Sequence, residues 1–387
     1  MSETAPKVQR AALNRAGPHQ TLSDDDQRIL ATQRRIAAIV QPDVEPLPRT
    51  DPITDLPILI LFPHSRCNCR CLMCDIWRVS TKTEIAPADV ARWTDEWRRL
   101  GVRRVVLSGG EALLHSQLWE LCDHLRGANI GITILTTGLR LKHQAAELVR
   151  RCDDIIVSLD GPQPVHDLIR NVPRAYERLA EGIAEVKRIY PGISVSGRCT
   201  VQRSNYHCLR ATVCAARTLG LDRISFLAAD VSSQAFNRAE EWNGERIGSV
   251  ALEAADLRGL AIELDALEAE HAADFASRFI AESPAKLRRR LGQYFKALLG
   301  DGDFAPNSCN APWMSSVIEA DGTVRPCFFQ PALGNMHETG SLEAIINSPD
   351  AIAWRKGLDV RRNAICRKCV CTLSLRETTN DPMLRTR

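Results

Sequence analysis

The segment LPILILFPHSRCNCRCLMC, residues 56–74, joins a run of apolar residues to a loop that contains four cysteines. A short apolar run bounded by turn-forming residues is typical of a buried β-strand. Five further runs of this kind follow along the chain: Arg104–Leu107, Ile132–Leu135, Ile155–Leu159, Ile193–Val201 and Arg223–Leu227. The pattern therefore predicts six strands, of which the first leads directly into the cysteine-rich loop.

Helix-like segments separate these strands. They are Pro87–Leu100, Gln117–Arg126, Lys142–Arg151, Ala175–Ile189 and Cys208–Leu219. Strands that alternate with helices predict an α/β fold with a parallel sheet and the helices outside it. Because six units are fewer than the eight of a closed barrel, we expect an open, partial (β/α)6 TIM-like barrel. In such folds the chemistry lies at the carboxyl ends of the strands.

The composition excludes several classes of protein. The chain has 387 residues, 44% of them hydrophobic, and a formal net charge of +3. This is enough apolar material for a sizeable core, whereas so small a charge does not indicate a nucleic-acid partner. No apolar run is long enough to predict a membrane span, and the N-terminus lacks an apolar signal core. We therefore expect a cytoplasmic protein.

The pattern changes along the chain and predicts four parts. Residues 1–53 form an N-terminal extension and proline-rich linker, with one amphipathic stretch at Ser23–Val40. Residues 54–230 form the partial barrel, and residues 231–304 form a charged, helical connector. Residues 305–387 form a smaller α+β domain.

The last part carries a hairpin signal. The runs Trp313–Ile318 and Thr323–Phe329 flank Asp321-Gly322, a pair that favours a tight turn between two strands. The segment Ser341–Leu358 then has the pattern of a helix.

The fourteen cysteines are the most informative feature of the composition. In a large chain without a signal segment, clustered cysteines bind metal more often than they form disulfides. Four cysteines lie within residues 67–74 and five in the C-terminal part. The others are scattered through periodic segments, where we expect buried core thiols: Cys122, Cys152, Cys199, Cys208 and Cys214.

Three cysteines of the first loop have the spacing C-x3-C-x2-C, namely Cys67, Cys71 and Cys74. Thiolates on short loops of this kind hold iron–sulfur clusters. Three ligands would leave one iron of a four-iron cluster open to a further molecule. Cys69 does not fit the spacing and is interpreted as spare. A structural zinc site with His64 as the fourth ligand is the alternative.

This motif and its place after the first strand resemble the radical S-adenosylmethionine (SAM) superfamily. The resemblance implies a 4Fe–4S cluster on these three cysteines, whose open iron binds SAM. It also implies reductive cleavage of SAM to a 5′-deoxyadenosyl radical, which removes a hydrogen atom from a substrate. An electron donor such as flavodoxin or ferredoxin is then implied as a partner.

Further motifs at the following strand ends support the resemblance. Ser108-Gly109-Gly110-Glu111 resembles the GGE motif of the family, whose backbone and glutamate hold the amino group of SAM. Thr136-Thr137-Gly138 is similar to its T-N-G motif. The residues that the resemblance assigns to cofactor binding are Gly109, Gly110, Glu111, Ser158, Asp160 and Arg198. Arg198 would pair with the SAM carboxylate, for which a guanidinium fork is well suited.

The C-terminal cysteines resemble the SPASM and shorter twitch domains of the same superfamily, which hold auxiliary clusters. Cys309 and Cys327 flank the hairpin, and Cys366 and Cys369 form a C-x2-C pair. These four are the ligands that the resemblance implies for a second 4Fe–4S cluster, with Cys371 as a possible substitute. A zinc ribbon is the alternative from the residues alone.

The sequence leaves the substrate open. The first hypothesis is oxidation or rearrangement of a small polar metabolite, such as a sugar or aminocyclitol, because residues 1–50 show no leader-binding domain. A peptide or protein maturase is the alternative, and a metal-stabilised scaffold without activity is a third possibility. Candidates for a catalytic base are Asp160, His166 and Asp230. Arg170 is a further candidate for polar contacts to the substrate.

Overall fold

The structure is a computed structural model that describes residues 51–238 and 240–375. The amphipathic stretch predicted at residues 23–40 lies outside this part of the chain. The described strands are β1 (Ile58–Leu61), β2 (Arg104–Leu107), β3 (Gly131–Thr136), β4 (Asp154–Ser158), β5 (Ser194–Val201), β6 (Arg223–Ala228), β7 (Ser315–Ile318), β8 (Thr323–Arg325) and β9 (Gly334–Asn335). They form one sheet in the order β6-β5-β4-β3-β2-β1-β7-β8-β9.

Strands β1 to β6 pair with their sequence neighbours and are all parallel. The helices that connect or follow them are Pro87–Arg99, Leu118–Gly127, Leu141–Arg151, Gln163–Arg170, Ala175–Ile189 and Leu209–Thr218. This confirms the predicted α/β fold with a partial barrel. The helix Gln163–Arg170 was not predicted.

The connecting helices are amphipathic, and their apolar faces pack on the sheet. In the helix Pro87–Arg99, Val90, Trp93 and Trp97 are buried, at a spacing of three and four residues that places them on one face. A proline at the first helical turn is compatible with helix entry, because its missing N–H would have no helical partner there.

The predicted C-terminal hairpin is present and belongs to the same sheet as the barrel. Strands β7 and β8 are antiparallel, and Gly322 in the turn between them has a φ of +85°, which glycine adopts without strain. Strand β7 pairs with β1 in parallel. The hairpin therefore extends the barrel sheet beside β1, next to the strand that leads into the first cysteine loop.

The segment between Gly244 and Leu298 is largely helical, and the chain after β6 also covers the opposite edge of the sheet. The helices of this segment are Gly244–Val250, Ala254–Glu270, Ala272–Ala276, Pro284–Leu287 and Tyr294–Leu298, with a π-helical turn at Arg288–Gln293. The Ile224 N–H of β6 donates to the Phe279 carbonyl at 2.8 Å, and the Ala281 N–H donates to the Ile224 carbonyl at 2.9 Å. These bonds satisfy backbone groups that an edge strand would otherwise expose.

Two expectations about local structure are wrong. The segment Ser341–Leu358 is not one helix but two, Leu342–Ile346 and Pro349–Gly357, because the proline cannot continue a helix and Ser348 caps the second one. Of the five scattered cysteines, four are buried but Cys214 is exposed. The remaining short helices of the C-terminal part are Ala311–Met314, Met336–Thr339 and Ala364–Arg367.

Within the described residues, none of the helices combines the length and apolar character that a bilayer crossing requires.

Candidate active site

The loop after β1 brings its cysteine side chains together. Cys69 and Cys71 are buried, and Cys67 and Cys74 are half-buried. The Cys69 thiol lies within hydrogen-bonding reach of the sulfur atoms of both Cys67 and Cys71, and Cys74 interacts electrostatically with the same two residues. The three predicted ligands therefore converge, and the supposedly spare Cys69 lies among them.

The environment makes these thiols unequal. The hydrogen bond from Cys69, together with the nearby Arg170 guanidinium, outweighs burial and lowers the pKa of Cys71 to about 7. Burial and the neighbouring Cys71 raise the pKa of Cys74 to about 12. A bound metal deprotonates the thiols that coordinate it, so the high pKa of Cys74 does not prevent it from serving as a ligand.

The cysteine loop is held by backbone bonds from both sides. The Arg70 N–H donates to the Arg170 carbonyl and the Leu72 N–H donates to the Ile169 carbonyl, each at 3.1 Å. From the opposite side, Arg238 donates to the Met73 carbonyl at 3.3 Å. Cys71 therefore lies on a segment anchored by the helix after β4 and by the loop after β6.

The close approach of the cysteine loop explains why glycine is needed at the two positions after β2. Gly109 has a φ of +97°, and a Cβ at this position would lie 2.7 Å from the Phe62 side chain. A Cβ on Gly110 would lie 2.2 Å from the Arg66 carbonyl oxygen. The Glu111 N–H donates to that same carbonyl at 2.9 Å. Only glycine lets the strand end approach the cysteine loop this closely.

Glu111 has a different environment from the one predicted. Its side chain has no exposed surface, and burial raises its pKa. The carboxylate accepts from the Thr136 hydroxyl at 2.8 Å, from the Thr137 N–H at 2.7 Å and from the Leu113 N–H at 3.2 Å. A carboxylate enclosed in this way positions the loops after β2 and β3, and direct contact with the amino group of SAM would require it to move.

Replacing Glu111 with glutamine is expected to destabilise the protein by about 1–3 kcal/mol, since the new amide would place a donor against buried donors. Urea unfolding of the apo-protein measures this effect. Glu181→Gln, on the exposed side of a helix, is the matched control and is expected to have little effect. Equal stability of the two variants would show that the three hydrogen bonds contribute little.

Ser158 and Arg198, both predicted to bind SAM, lie next to each other in the sheet. They are directly paired across β4 and β5, and Ser225 of β6 continues the same row. All three are partly exposed, whereas the residues that alternate with them on the strands are buried. The Arg198 Nε atom is buried and has no hydrogen-bond partner in residues 51–238 and 240–375. An unpaired guanidinium N–H at this position suits a carboxylate ligand.

The structure argues against the catalytic roles predicted for Asp160 and His166. Neither has exposed surface. Asp160 pairs with Arg170 at 2.6 Å and accepts from the Thr200 N–H at 2.9 Å. His166 Nδ1 accepts from the Asp160 N–H at 3.2 Å, and burial together with the Arg170 charge lowers its pKa to about 3. These groups support the cysteine loop, and a substrate would not reach them.

Asp230 is also unsuited to act as a base. It is 5% exposed and forms an ion pair with Arg238 at 2.6 Å. The same guanidinium donates to the Asp230 and Ser233 carbonyls at 2.6 and 3.0 Å and stacks on Trp242 at 4.0 Å. The pair therefore fixes the loop after β6 against the cysteine loop.

The C-terminal cysteines form a second group. Cys309, Cys327, Cys366 and Cys369 are half-buried, and Cys371 is exposed. Cys327 interacts electrostatically with Cys309 and Cys366, and Cys369 interacts with Cys309, Cys327 and Cys371. The five side chains thus converge, although they are far apart in the sequence. Cys309 precedes the hairpin, Cys327 follows it, and the other three lie within residues 366–371.

Several N–H groups point at these sulfur atoms. The Ala311 N–H donates to the Cys309 sulfur at 3.5 Å, and Gln330 Nε2 donates to the Cys366 sulfur at 3.3 Å. Burial raises the pKa of Cys327 to about 12. Hydrogen bonds to sulfur from backbone and amide groups are typical of iron–sulfur ligands.

Comparison with known families agrees with this geometry. The model of the radical SAM superfamily matches residues 61–213, which include the first cysteine loop and β2 to β5. A second model, SPASM, described as an iron–sulfur cluster-binding domain, matches residues 309–370. The chain contains a radical SAM domain, followed by a C-terminal SPASM domain.

Curated relatives share parts of the chain. A probable GTP 3′,8-cyclase of Thermococcus kodakarensis is 33% identical over 145 residues, which are 36% of this chain and 46% of that one. The pre-heme d1 synthase of Dinoroseobacter shibae is 30% identical over 41% of this chain and 40% of its own. The PqqA peptide cyclase of Ruegeria pomeroyi is 28% identical over 243 residues, 61% of this chain and 58% of that one. The chain thus spans less than half the length of the first two relatives.

Solved structures show the same fold. The structure of anSMEcpe with bound AdoMet has a TM-score of 0.59 at 17% identity and covers 82% of this chain and 92% of its own. Streptococcus suis SuiB bound to S-adenosylmethionine has a TM-score of 0.56 at 16% identity, over 82% and 72% of the two chains. These neighbours confirm the partial barrel with an additional C-terminal domain.

The radical SAM domain implies a 4Fe–4S cluster and SAM, and the SPASM domain implies auxiliary clusters. The residues present fit these groups, because two sets of cysteine side chains converge and Arg198 offers an unpaired N–H. Among the described residues, no three His, Cys, Asp or Glu side chains are spaced for one metal ion. The assignment of individual cysteines to each cluster therefore stays a prediction.

Four phenylalanines from segments next to the two cysteine groups pack together, and the sequence interpretation missed them. Phe62 follows β1, Phe328 and Phe329 follow Cys327, and Phe236 lies in the loop after β6. Phe328 packs edge-on against Phe62 at 5.3 Å and Phe236 at 4.9 Å, and Phe329 lies 5.5 Å from Phe328. All four are partly exposed. We call them the phenylalanine cluster. The adjacent pair after Cys327 was its only local signal.

Phe236 has a strained backbone, with a φ of +63° that non-glycine residues seldom adopt. Its carbonyl accepts from the Asp75 N–H at 3.2 Å, and the following Asn237 donates to the Asp75 carbonyl at 3.3 Å. Bonds to the residue after Cys74 therefore hold the ring of Phe236 over the strand ends.

Replacing Arg238 with methionine is expected to destabilise the radical SAM domain by about 3–5 kcal/mol, because Asp230 would keep a buried, unpaired charge. Urea unfolding of the apo-protein is the measurement. The double variant Asp230→Asn/Arg238→Met removes that charge and is expected to recover a large part of the loss. A loss of less than about 1 kcal/mol in Arg238→Met would show that the ion pair does not fix the loop.

Proposed function

We propose that this radical SAM enzyme acts on a peptide, removing a hydrogen atom from a residue that binds against the phenylalanine cluster. The finding that carries the proposal is the packing of this cluster, whose members lie on the loops after β1, β6 and β8, next in sequence or by backbone contact to both cysteine groups. Burying an apolar or aromatic side chain there gains about 25 cal/mol for each Å² removed from water. A sugar in the same place would leave hydroxyl groups without partners.

The relatives lend support to a peptide substrate. The alignment with the PqqA peptide cyclase covers 243 residues, considerably more than the radical SAM match at residues 61–213. The alignments with the GTP cyclase and the pre-heme d1 synthase cover 145 and 164 residues. The preference for a small polar metabolite, which came from the sequence, depends on residues 1–50. These residues lie outside the described part of the chain.

Bound SAM and its cluster would supply the 5′-deoxyadenosyl radical. Cys67, Cys71 and Cys74 would hold the cluster, and Arg198 with Ser158 would orient the SAM carboxylate. Loss of a hydrogen atom leaves a carbon radical on the peptide, and oxidation of that radical releases one electron and one proton. The C-terminal cysteines would hold the electron acceptor, and an external flavodoxin or ferredoxin would supply the initial electron. We place this chemistry in the cytoplasm, where thiols stay reduced.

A deuterated extract tests the substrate class even before the substrate itself is identified. The source organism is grown in fully deuterated medium, and half of its extract is digested with a broad protease, which is then removed. The reconstituted enzyme receives SAM, dithionite and either half, and mass spectrometry measures deuterium in 5′-deoxyadenosine. We expect deuterium transfer from the untreated half and its loss after proteolysis.

Transfer that survives proteolysis would favour a small metabolite and contradict the peptide proposal. Formation of 5′-deoxyadenosine without deuterium from either half would contradict hydrogen abstraction from a cellular substrate. As a control, deuterated free amino acids are added to the digested half, because a peptide enzyme should not use them.

A further inference from the structure

Arg170 has a role that the sequence interpretation did not foresee. It is the last residue of the helix Gln163–Arg170 and is only 7% exposed. One terminal nitrogen, Nη1, donates to the Cys71 sulfur at 3.5 Å, and the other, Nη2, lies 2.6 Å from the Asp160 carboxylate. A fully charged side chain therefore bridges a buried carboxylate and a predicted cluster ligand.

The bridge between Arg170 and Asp160 is held at both of its ends. The second Asp160 oxygen accepts from the Thr200 N–H at 2.9 Å, so β5 fixes the carboxylate. The Arg170 carbonyl accepts from the Arg70 N–H at 3.1 Å, one residue before Cys71. The guanidinium and the sulfur are thus fixed relative to each other by the backbone as well as by the side chain. This differs from a mobile surface arginine, for which a contact to sulfur would be transient.

We propose that Arg170 is a positioning residue that raises the reduction potential of the SAM-binding cluster through its N–H···S bond to Cys71. Reduction adds negative charge to the cluster and its thiolates, and a buried positive donor at 3.5 Å from one sulfur stabilises that charge. Asp160 serves to hold the guanidinium in place. The proposal rests on Cys71 being a cluster ligand, as in the proposed function.

The test is a redox titration of the reconstituted enzyme, followed by electron paramagnetic resonance. The signal of the SAM-binding cluster is recognised by its change when SAM is added, which separates it from the auxiliary cluster. At the potential where half of this cluster is reduced in the wild type, we expect Arg170→Met to lower the reduced-to-oxidised ratio about tenfold. For a one-electron couple a tenfold change corresponds to 59 mV.

Two further variants separate this effect from misfolding. Arg170→Lys keeps the charge but cannot bridge both partners, so a smaller decrease is expected. Asp160→Asn keeps the guanidinium and removes a negative charge that opposes negative charge on Cys71, so an increase of the ratio, opposite to that in Arg170→Met, is expected. Iron and sulfide contents are measured for each, so that potentials are compared only between loaded proteins.

Arg246→Met is the matched control. Arg246 donates to the Leu72 carbonyl of the same loop at 2.5 Å but has no described contact with a cysteine sulfur. Its removal deletes one arginine and two loop contacts, to the Leu72 carbonyl and to the Asp75 carboxylate at 3.7 Å, and the ratio is expected to stay within about twofold of the wild type.

An unchanged ratio in loaded Arg170→Met and Arg170→Lys, or an equal decrease in Arg246→Met, would overturn the proposal. Failure of the underlying assignment has a different signature. If Cys71→Ala keeps the SAM-sensitive signal, Cys71 is not a ligand, whatever the Arg170 variants show.

Discussion

Replacing Cys71 with alanine is expected to abolish SAM cleavage, because the radical SAM cluster would lose the most enclosed of its three predicted ligands. Cys71 is 7% exposed, and its loop is bonded to the helix Gln163–Arg170 on both sides of the residue. The measurement is the rate of 5′-deoxyadenosine formation under dithionite, together with the iron content.

Cys69 provides the informative comparison. Its thiol lies between Cys67 and Cys71, yet the C-x3-C-x2-C spacing excludes it from the ligand set. We expect Cys69→Ala to retain the cluster and SAM cleavage. Cys122→Ala, a buried core thiol on a helix outside the sheet, is the control for removing any buried sulfur. Loss of the cluster in Cys69→Ala and its retention in Cys71→Ala would reverse the assignment.

Replacing Cys327 with alanine is expected to stop product formation while SAM cleavage continues at a rate within about tenfold of the wild type. The auxiliary cluster would lose a ligand that follows β8, whereas the first cysteine loop would be unaffected. Iron content is expected to fall from about eight to about four atoms per chain, as for the loss of one 4Fe–4S cluster. Both are measured on the same anaerobic preparation.

Cys371→Ala is the matched control for this prediction. Cys371 is close to Cys309 and Cys369 but is exposed, and it is predicted to be a substitute rather than a ligand. We expect it to keep eight irons and normal product formation. Loss of SAM cleavage in Cys327→Ala would contradict the separation of the two clusters. Full activity in that variant would show that Cys371 replaces the missing ligand.

The strands and helices of the barrel follow from local patterns. Arg104–Leu107 and Ala175–Ile189 have the predicted bounds, and the other predicted barrel elements differ by one or two residues at their ends, whereas the helix Gln163–Arg170 was missed. Buried parallel strands are continuous apolar runs, and amphipathic helices repeat their apolar residues every three to four positions. Both patterns can be recognised from residues that are close together in the sequence. The same is true of the cysteine spacings, which indicate the superfamily.

The roles of the side chains at the strand ends could not be predicted from local sequence patterns. Glu111, Asp160 and His166 have the residue types of ligands or bases, but the partners that enclose each of them include residues 6 to 40 positions distant in sequence. The phenylalanine cluster combines residues from the loops after β1, β6 and β8. Whether a polar group faces the substrate or the core depends on which elements cover it.

Local sequence thus specified the elements, their order and the two sets of thiols, because periodicity and ligand spacing are encoded over a few residues. The packing of distant segments specified which charges are buried, which N–H groups point at sulfur and what lies between the cysteine groups. Strand β7 beside β1 is the central example, since this pairing joins residues more than 250 positions apart and brings Cys327 towards the first loop. Burial and ion pairing are properties of those contacts, so they appear only when the chain is folded.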